Sequence, residues 1–186
     1  LTINSGRAKE IAQEVRIINP KIKIIIGGIH PSLIPEEFID IADNVVVGEA
    51  ENIIIDLIEN KFTEKIVHGS AVNDLNELPL VNYSLLLDYN KIDIIPIMTS
   101  RGCPFDCIFC TVTKIFGKKY RYQSVERIIS EIQNAKRYFN IPYVFFYDDN
   151  FTADKKRILE LSERLIESKT DIIWTAQVRT DVANNP

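Results

Sequence analysis

The chain has 186 residues, enough for one good core or for parts of two domains. Hydrophobic residues at 46% and charged residues at 26% exclude a disordered chain, and the longest apolar runs, near Ile22 to Ile29 and Val144 to Tyr147, are too short to span a bilayer. A net charge of −4 argues against a phosphate-backbone binder, in spite of the local basic run Lys114, Lys118, Lys119 and Arg121, so neither a nucleic-acid partner nor a membrane span is expected.

From Ser5 the apolar positions Ala8, Ile11, Ala12, Val15 and Ile18 recur at helical spacing, with Ser5 placed to cap the helix and Pro20 to stop it. Ile22 to Ile26 reads as a β-branched strand ending in Gly27-Gly28, and Pro35-Glu36-Glu37 opens a short helix with its acids in the first turn. Asn44 to Val47 is a second strand, ending at Gly48, and Glu49 to Glu59 carries Ile54, Leu57 and Ile58 into another amphipathic helix. Strand, helix, strand, helix implies a parallel sheet. Residues 60 to 93 lack sustained periodicity and hold Gly69, Pro79 and several Asn and Asp, which marks a connector with a short hairpin around Phe62 to His68. The predicted organisation is therefore a first domain over 1–60, a connector over 61–93 and a second domain over 94–186.

In the second domain the alternation resumes with a strand near 94–99, a helix over 124–139, a strand over 142–147, a helix over 153–168 and a strand over 171–177. Ser124 and Thr152 stand where N-caps belong, and Val125, Ile128, Ile129, Ile132 and Ala135 form one apolar face that should lie on the sheet. Pro96 donates no ladder hydrogen bond, so the first of these strands is expected to begin after it. The chain opens on Leu1 and closes on Asn184-Asn185-Pro186 after a strand-like segment, and it reads as an internal fragment.

The only cysteines are Cys103, Cys107 and Cys110, spaced C-x3-C-x2-C directly after that first strand. An odd number so closely spaced is poor material for a disulfide framework and suits a reducing compartment, with the cytoplasm as its natural home. A [4Fe–4S] cage takes a thiolate at each iron, so three cysteines in one loop leave one iron open to a substrate or cofactor. Zinc usually takes four ligands, and neither His30 nor His68 lies near this loop in sequence. Zinc, or thiols with no ligand, remain the alternatives at this point.

Ligands of β/α folds collect at the carboxyl ends of the strands, where Asp148-Asp149-Asn150 and Gln177 with Arg179 also fall. The acidic turn is either a polar lead into the next helix or a recognition element for an ammonium or hydroxyls. Arg179 is a carboxylate clamp or a solvated arginine, and Phe109 either packs on a cluster or offers a stacking surface to a purine. Gly27, Gly28 and Gly48 end strands, where they serve as turn formers or permit close approach of a ligand to the backbone. His30, followed by Pro31, reads as a loop histidine and not as a ligand.

Ser100-Arg101-Gly102-Cys103-Pro104-Phe105-Asp106-Cys107-Ile108-Phe109-Cys110 resembles the signature loop of radical S-adenosylmethionine enzymes, and the likeness continues through Lys119-Tyr120-Arg121, Phe145 to Phe151 and Trp174 to Asp181. Gly27 to Ser32, Pro35-Glu36-Glu37 and Val46 to Glu51 resemble the later part of the cobalamin-binding domain of B12-dependent radical enzymes, with Leu75 to Pro79 similar to their connector. The group includes the anaerobic magnesium-protoporphyrin ester cyclase type and many methyltransferases. The early Asp-x-His-x-x-Gly stretch of many cobalamin domains does not occur here, nor do the remaining strands of the radical barrel.

The resemblance implies an α/β fold, a partial Rossmann-like cobalamin-binding domain followed by a partial (β/α) radical barrel. It implies that Cys103, Cys107 and Cys110 hold a [4Fe–4S] cluster whose remaining iron is chelated by S-adenosylmethionine. Reduction would then yield a 5′-deoxyadenosyl radical for methylation, cyclisation or rearrangement of an unidentified small-molecule substrate, with a reducing electron donor as partner. It further implies that Asp148, Asp149 and Asn150 approach the methionyl amine or ribose, that Arg179 approaches the carboxylate or ribose, and that Phe109 lies near adenine. Gly27, Gly28 and Gly48 would border cobalamin in the intact parent. An electron-transfer or sensory module without this chemistry, and a zinc-stabilised binding domain, are the competing readings.

Overall fold

The computed structural model describes residues 2–87, 91–139 and 143–184. Residues 88–90 of the expected connector, Pro142 at the start of an expected strand and the last two residues lie outside these. The chain divides into two compact units, Leu1–Val72 and Asn73–Pro186. Each has its own core and its own parallel sheet.

In the first unit, α1 (Ser5–Ile18) precedes β1 (Ile25–Ile26), α2 (Ile29–Leu33), β2 (Asn44–Val47), α3 (Ile54–Ile58) and β3 (Ile66–His68). Helix α1 starts at Ser5 but not by the expected cap: Asn4 precedes the first turn and no side chain caps it. Ala12 is buried and Val15 packs beside it against Phe38, Ala42 and Val45, while Ile11 and Ile18 of the predicted stripe face solvent. The end of α1 is tied to the sheet through Asp43, whose carboxylate accepts from Arg16 at 2.7 Å and from the Ile24 amide at 2.8 Å. Helix α3 is one turn long, shorter than the segment predicted, and buries only Leu57 fully.

Strand order is β1-β2-β3, all parallel, with Val45 opposite Ile66 and Val46 opposite Val67. The expected hairpin around Phe62 to His68 is therefore replaced by a third parallel strand. Three residues are too few to show a period, and the crossover through α3 returns the chain on the same heading.

In the second unit, β4 (Ile95–Ile97), β5 (Ser100–Arg101), α4 (Val112–Ile115), β6 (Arg121–Tyr122), α5 (Val125–Lys136), β7 (Tyr143–Phe146), α6 (Lys155–Glu167) and β8 (Ile173–Ala176) follow in order. The sheet runs β4-β7-β8, all parallel, and β5 and β6 form a separate antiparallel pair. Pro96 lies inside β4, opposite Phe145, instead of before the strand. It is tolerated because β4 pairs only with β7 among the described strands, so Pro96 is exposed while Ile95 and Ile97 are buried.

Ser124 caps α5 as its sequence predicts, accepting from the Arg127 amide at 3.2 Å. Helix α6 is capped by Asp154, two residues beyond the predicted Thr152, through the Arg157 amide at 3.1 Å. The α5 stripe Val125, Ile128, Ile132 and Ala135 packs with Ile95, Val144, Phe146, Leu161 and Leu165 in one core. Complete burial of a side chain such as Ile128 or Ile132 contributes on the order of 2 kcal/mol. The α/β architecture with parallel sheets agrees with expectation in both units.

Candidate active site

The cysteine loop is closed at its neck. Strands β5 and β6 pair Ser100 with Tyr122 and Arg101 with Arg121, and the Gln123 amide donates to the Thr99 carbonyl at 2.9 Å, so residues 102–120 leave and return at one point beyond the carboxyl end of β4. Gly102 sits there with φ +85°, and a Cβ on it would collide with the Lys119 carbonyl. Only glycine serves at this position, both for its backbone conformation and for the close approach. The Cys103 amide donates to the Gly117 carbonyl at 3.3 Å, and the Cys110 amide to the Cys107 carbonyl at 3.0 Å, which turns the loop between the ligand positions.

All three cysteines are half-buried and free of disulfides. Among the described residues, no three His, Cys, Asp or Glu side chains are gathered closely enough to hold a metal ion, so the thiols share a loop without converging. The donor set nevertheless fits an iron–sulfur cluster. Three soft sulfur ligands on one loop, with no His between them, match cluster ligation and are unsuited to Mg or Ca.

Arg179, just beyond β8, reaches this loop. Its Nη1 lies 3.9 Å from the Cys107 Sγ and its guanidinium carbon 3.8 Å from the centre of the Phe105 ring. Asp181 accepts from its Nε at 3.2 Å, and that hydrogen bond, ahead of the charges of Asp181 and Cys107, holds its pKa above the ordinary arginine value. Its side chain remains 37% exposed. Phe109 is 87% exposed.

The three residues after β7 have separate surroundings. Asp148 is wholly buried, and its carboxylate accepts from the Thr99 amide at 2.6 Å, Thr99 Oγ1 at 2.5 Å, the Ser100 amide at 3.1 Å and Ser100 Oγ at 2.8 Å. It therefore joins β7 to the entrance of the cysteine loop. Asn150 is buried beside Thr152, whose hydroxyl is 3.4 Å from its Oδ1. Asp149 keeps an exposed edge, and the partial burial of its carboxyl, then the charge of Asp148, raise its pKa above the ordinary carboxylate range.

Sequence reasoning missed Thr99, Ser100 and Arg157. Arg157 is buried in the first turn of α6, where its Nε donates to the Gln123 carbonyl at 3.3 Å and its Nη1 to the Tyr120 hydroxyl at 3.0 Å. Nη2 donates to both the carbonyl and the hydroxyl of Thr99. No local signal singled it out: Lys155 and Lys156 share the same first turn, and its partners lie 34 to 58 residues away in the chain.

In the first unit, Gly28 (φ +105°) and Gly48 (φ +87°) end β1 and β2. Ser32 bridges the two turns, its Oγ donating to the Gly28 carbonyl at 2.7 Å and accepting from the Gly48 amide at 3.0 Å. A Cβ at Gly27 would touch Val46, while one at Gly28 would meet open space. Side-chain-free backbone at adjacent strand ends suits the close approach of a large planar cofactor or its tail. His30 is buried between Thr2, 3.2 Å from its Nδ1, and Glu37, 3.5 Å from its Nε2, on a helix and not on the loop predicted.

A parallel β/α unit with a three-cysteine loop at its strand ends, preceded by a unit with glycine turns at its strand ends, defines a cofactor-dependent α/β enzyme class. The radical SAM superfamily profile matches residues 97–181 and the B12 binding domain profile matches residues 1–58. Residues 97–181 thus carry the radical SAM pattern and residues 1–58 the B12 binding pattern, in that order along the chain.

It is 32% identical to an uncharacterized methyltransferase of Pyrococcus horikoshii over 95% of this chain and 44% of that protein. It is 34% identical to the bacteriochlorophyllide d C-8(2)-methyltransferase of Chlorobaculum tepidum over 100% of this chain and 44% of the relative. The anaerobic magnesium-protoporphyrin IX monomethyl ester cyclase of Rubrivivax gelatinosus is 26% identical over 95% of this chain and 37% of its own length. The fold is similar to that of the cobalamin-dependent S-adenosylmethionine radical enzyme OxsB, with a TM-score of 0.79, 23% identity, and coverage of 98% of this chain and 30% of that one. The chain thus spans less than half the length of these relatives.

Proposed function

We propose that the chain is the cofactor-bearing part of a B12-dependent radical SAM enzyme acting by radical methylation, cyclisation or rearrangement on an unidentified small molecule. The observation that carries this reading is the free three-thiol loop beyond β4, met by Arg179 from beyond β8, within a region that matches the superfamily. Cys103, Cys107 and Cys110 would hold a [4Fe–4S] cluster, which supplies the electron for reductive cleavage of S-adenosylmethionine.

The surrounding residues bind and orient. Arg179 brings a planar cation to the Cys107 side of the loop, suited to a carboxylate or to ribose hydroxyls. Phe109 offers an open aromatic face to adenine, and Asp149 offers the exposed edge of its carboxyl to the amine or ribose. Asn150 serves from beneath the same turn, and Asp148 serves by holding the strand end to the loop. Gly27, Gly28 and Gly48 would border the cobalamin.

We assign the first unit, residues 1–72 with β3 included in place of the predicted boundary at 60, to the cobalamin-binding side, residues 73–93 to the connector and residues 94–186 to the radical barrel. A reducing electron donor is the expected partner, and nucleic acid is not. No described helix is long and apolar enough to cross a membrane. Placement in the cytoplasm is supported by the need of the three thiols for a reducing compartment. Anaerobic reconstitution tests the reading: about four irons per chain are expected, with a paramagnetic resonance signal that S-adenosylmethionine changes. A signal indifferent to S-adenosylmethionine would favour an electron-transfer or sensory module.

A further inference from the structure

We propose that Arg157, Thr99 and Asp148 form a buried latch that positions the cysteine loop for its cluster, with the Thr99 hydroxyl as the joint. The proposal rests on the reading of that loop as a cluster loop. Arg157, 4% exposed, bonds to residues on both sides of the loop: Thr99 where the chain leaves, and Tyr120 and Gln123 where it returns. Its guanidinium also lies 5.2 Å from the centre of the Tyr122 ring, on the returning strand β6. From the other side Asp148 bonds Thr99 and Ser100.

Thr99 Oγ1 donates its proton to Asp148 Oδ2 and accepts from Arg157 Nη2, so it connects a cation of α6 to an anion at the end of β7. Neither charged group belongs to the loop, and neither is exposed to a ligand. Their burial is costly unless every polar atom is satisfied. The loop neck is what satisfies them. Slippage of Ser100–Arg101 against Arg121–Tyr122 would break bonds to both charges at once, so the neck has one register and the path from Thr99 to Cys103 is fixed. Arg157, Thr99 and Asp148 are in this sense positioning residues, supporting the ligands as an outer shell supports a metal site.

The test compares anaerobically reconstituted wild-type chain with Thr99→Val, which keeps the shape and removes the joint, and Thr99→Ser, which keeps the joint and removes a methyl. The readouts are the rate of iron loss to a ferrous chelator and the resonance spectrum of the reduced cluster. With circular dichroism unchanged, T99V is expected to lose iron about tenfold faster and to give a shifted or broadened signal, while T99S retains wild-type values for both. A merely structural threonine would lower the unfolding midpoint of both variants and leave the spectrum alone. Iron loss and spectrum in T99V equal to wild type would overturn the latch. If T99V does not fold, Arg157→Lys decides: it keeps the charge but cannot bridge both ends of the loop, and wild-type iron retention and spectrum in R157K would overturn the proposal. A wild-type chain that takes up no cluster would overturn both the latch and the function on which it rests.

Discussion

Asp148 accepts four hydrogen bonds at a point with no solvent exposure, and two of its donors are backbone amides that cannot turn away. Replacement by Asn removes an acceptor oxygen and sets an amide N–H against those donors, so Asp148→Asn is expected to cost on the order of 3 kcal/mol in denaturant unfolding. Its neighbour behaves differently. The pKa of Asp149 is raised above the reference value of 3.8, so its contribution to stability is fully present below about that pH and is lost as pH rises through the raised value. Asp149→Asn should therefore unfold later than wild type at neutral pH, and the gain should vanish as the pH is lowered towards 4.

On the proposed reading, conversion of any one of Cys103, Cys107 or Cys110 to Ala should reduce iron after reconstitution to near background, since each would ligate a separate iron. The cysteine triplet was legible because its spacing within one loop is itself the chemical signal. The pairing of Asp148 and Arg157 with the loop neck was not. Their partners Thr99 and Ser100 lie 48 to 58 residues away in the chain, and no local pattern encodes such a pairing. The acidic turn was located correctly, but its three residues have three different environments, which only the tertiary fold decides.

Among the elements, the apolar stripe of α5, the valine run of β2 and the mostly aromatic run of β7 were readable because their apolar patterns match their burial. Strand β3 was not, being three residues in a segment without period. The α6 cap moved from Thr152 to Asp154 because either residue type can cap and the choice depends on where the chain turns. Ser124→Ala and Asp154→Ala should each cost about 1 kcal/mol, and Thr152→Ala less than about 0.5 kcal/mol, measured by thermal or denaturant unfolding. Gly102 joins element to site. With φ +85° and the Lys119 carbonyl in the way of a Cβ, Gly102→Ala should cost about 2 kcal/mol and lower cluster retention together.

Across the whole molecule, two units each end their parallel strands in the feature that suits a cofactor: bare glycine turns in one, a thiol loop in the other. The resemblance seen in the sequence and the two matched domains agree on this order of parts. Substrate identity was never legible, since the chain covers 44% or less of the relatives described above. The most direct measurement is paramagnetic resonance of the anaerobically reconstituted, reduced chain before and after addition of S-adenosylmethionine. The predicted result is about four irons per chain, with a cubane signal whose g-values move when S-adenosylmethionine is added. Zinc without sulfide, or a cluster signal that S-adenosylmethionine leaves unchanged, would contradict the account.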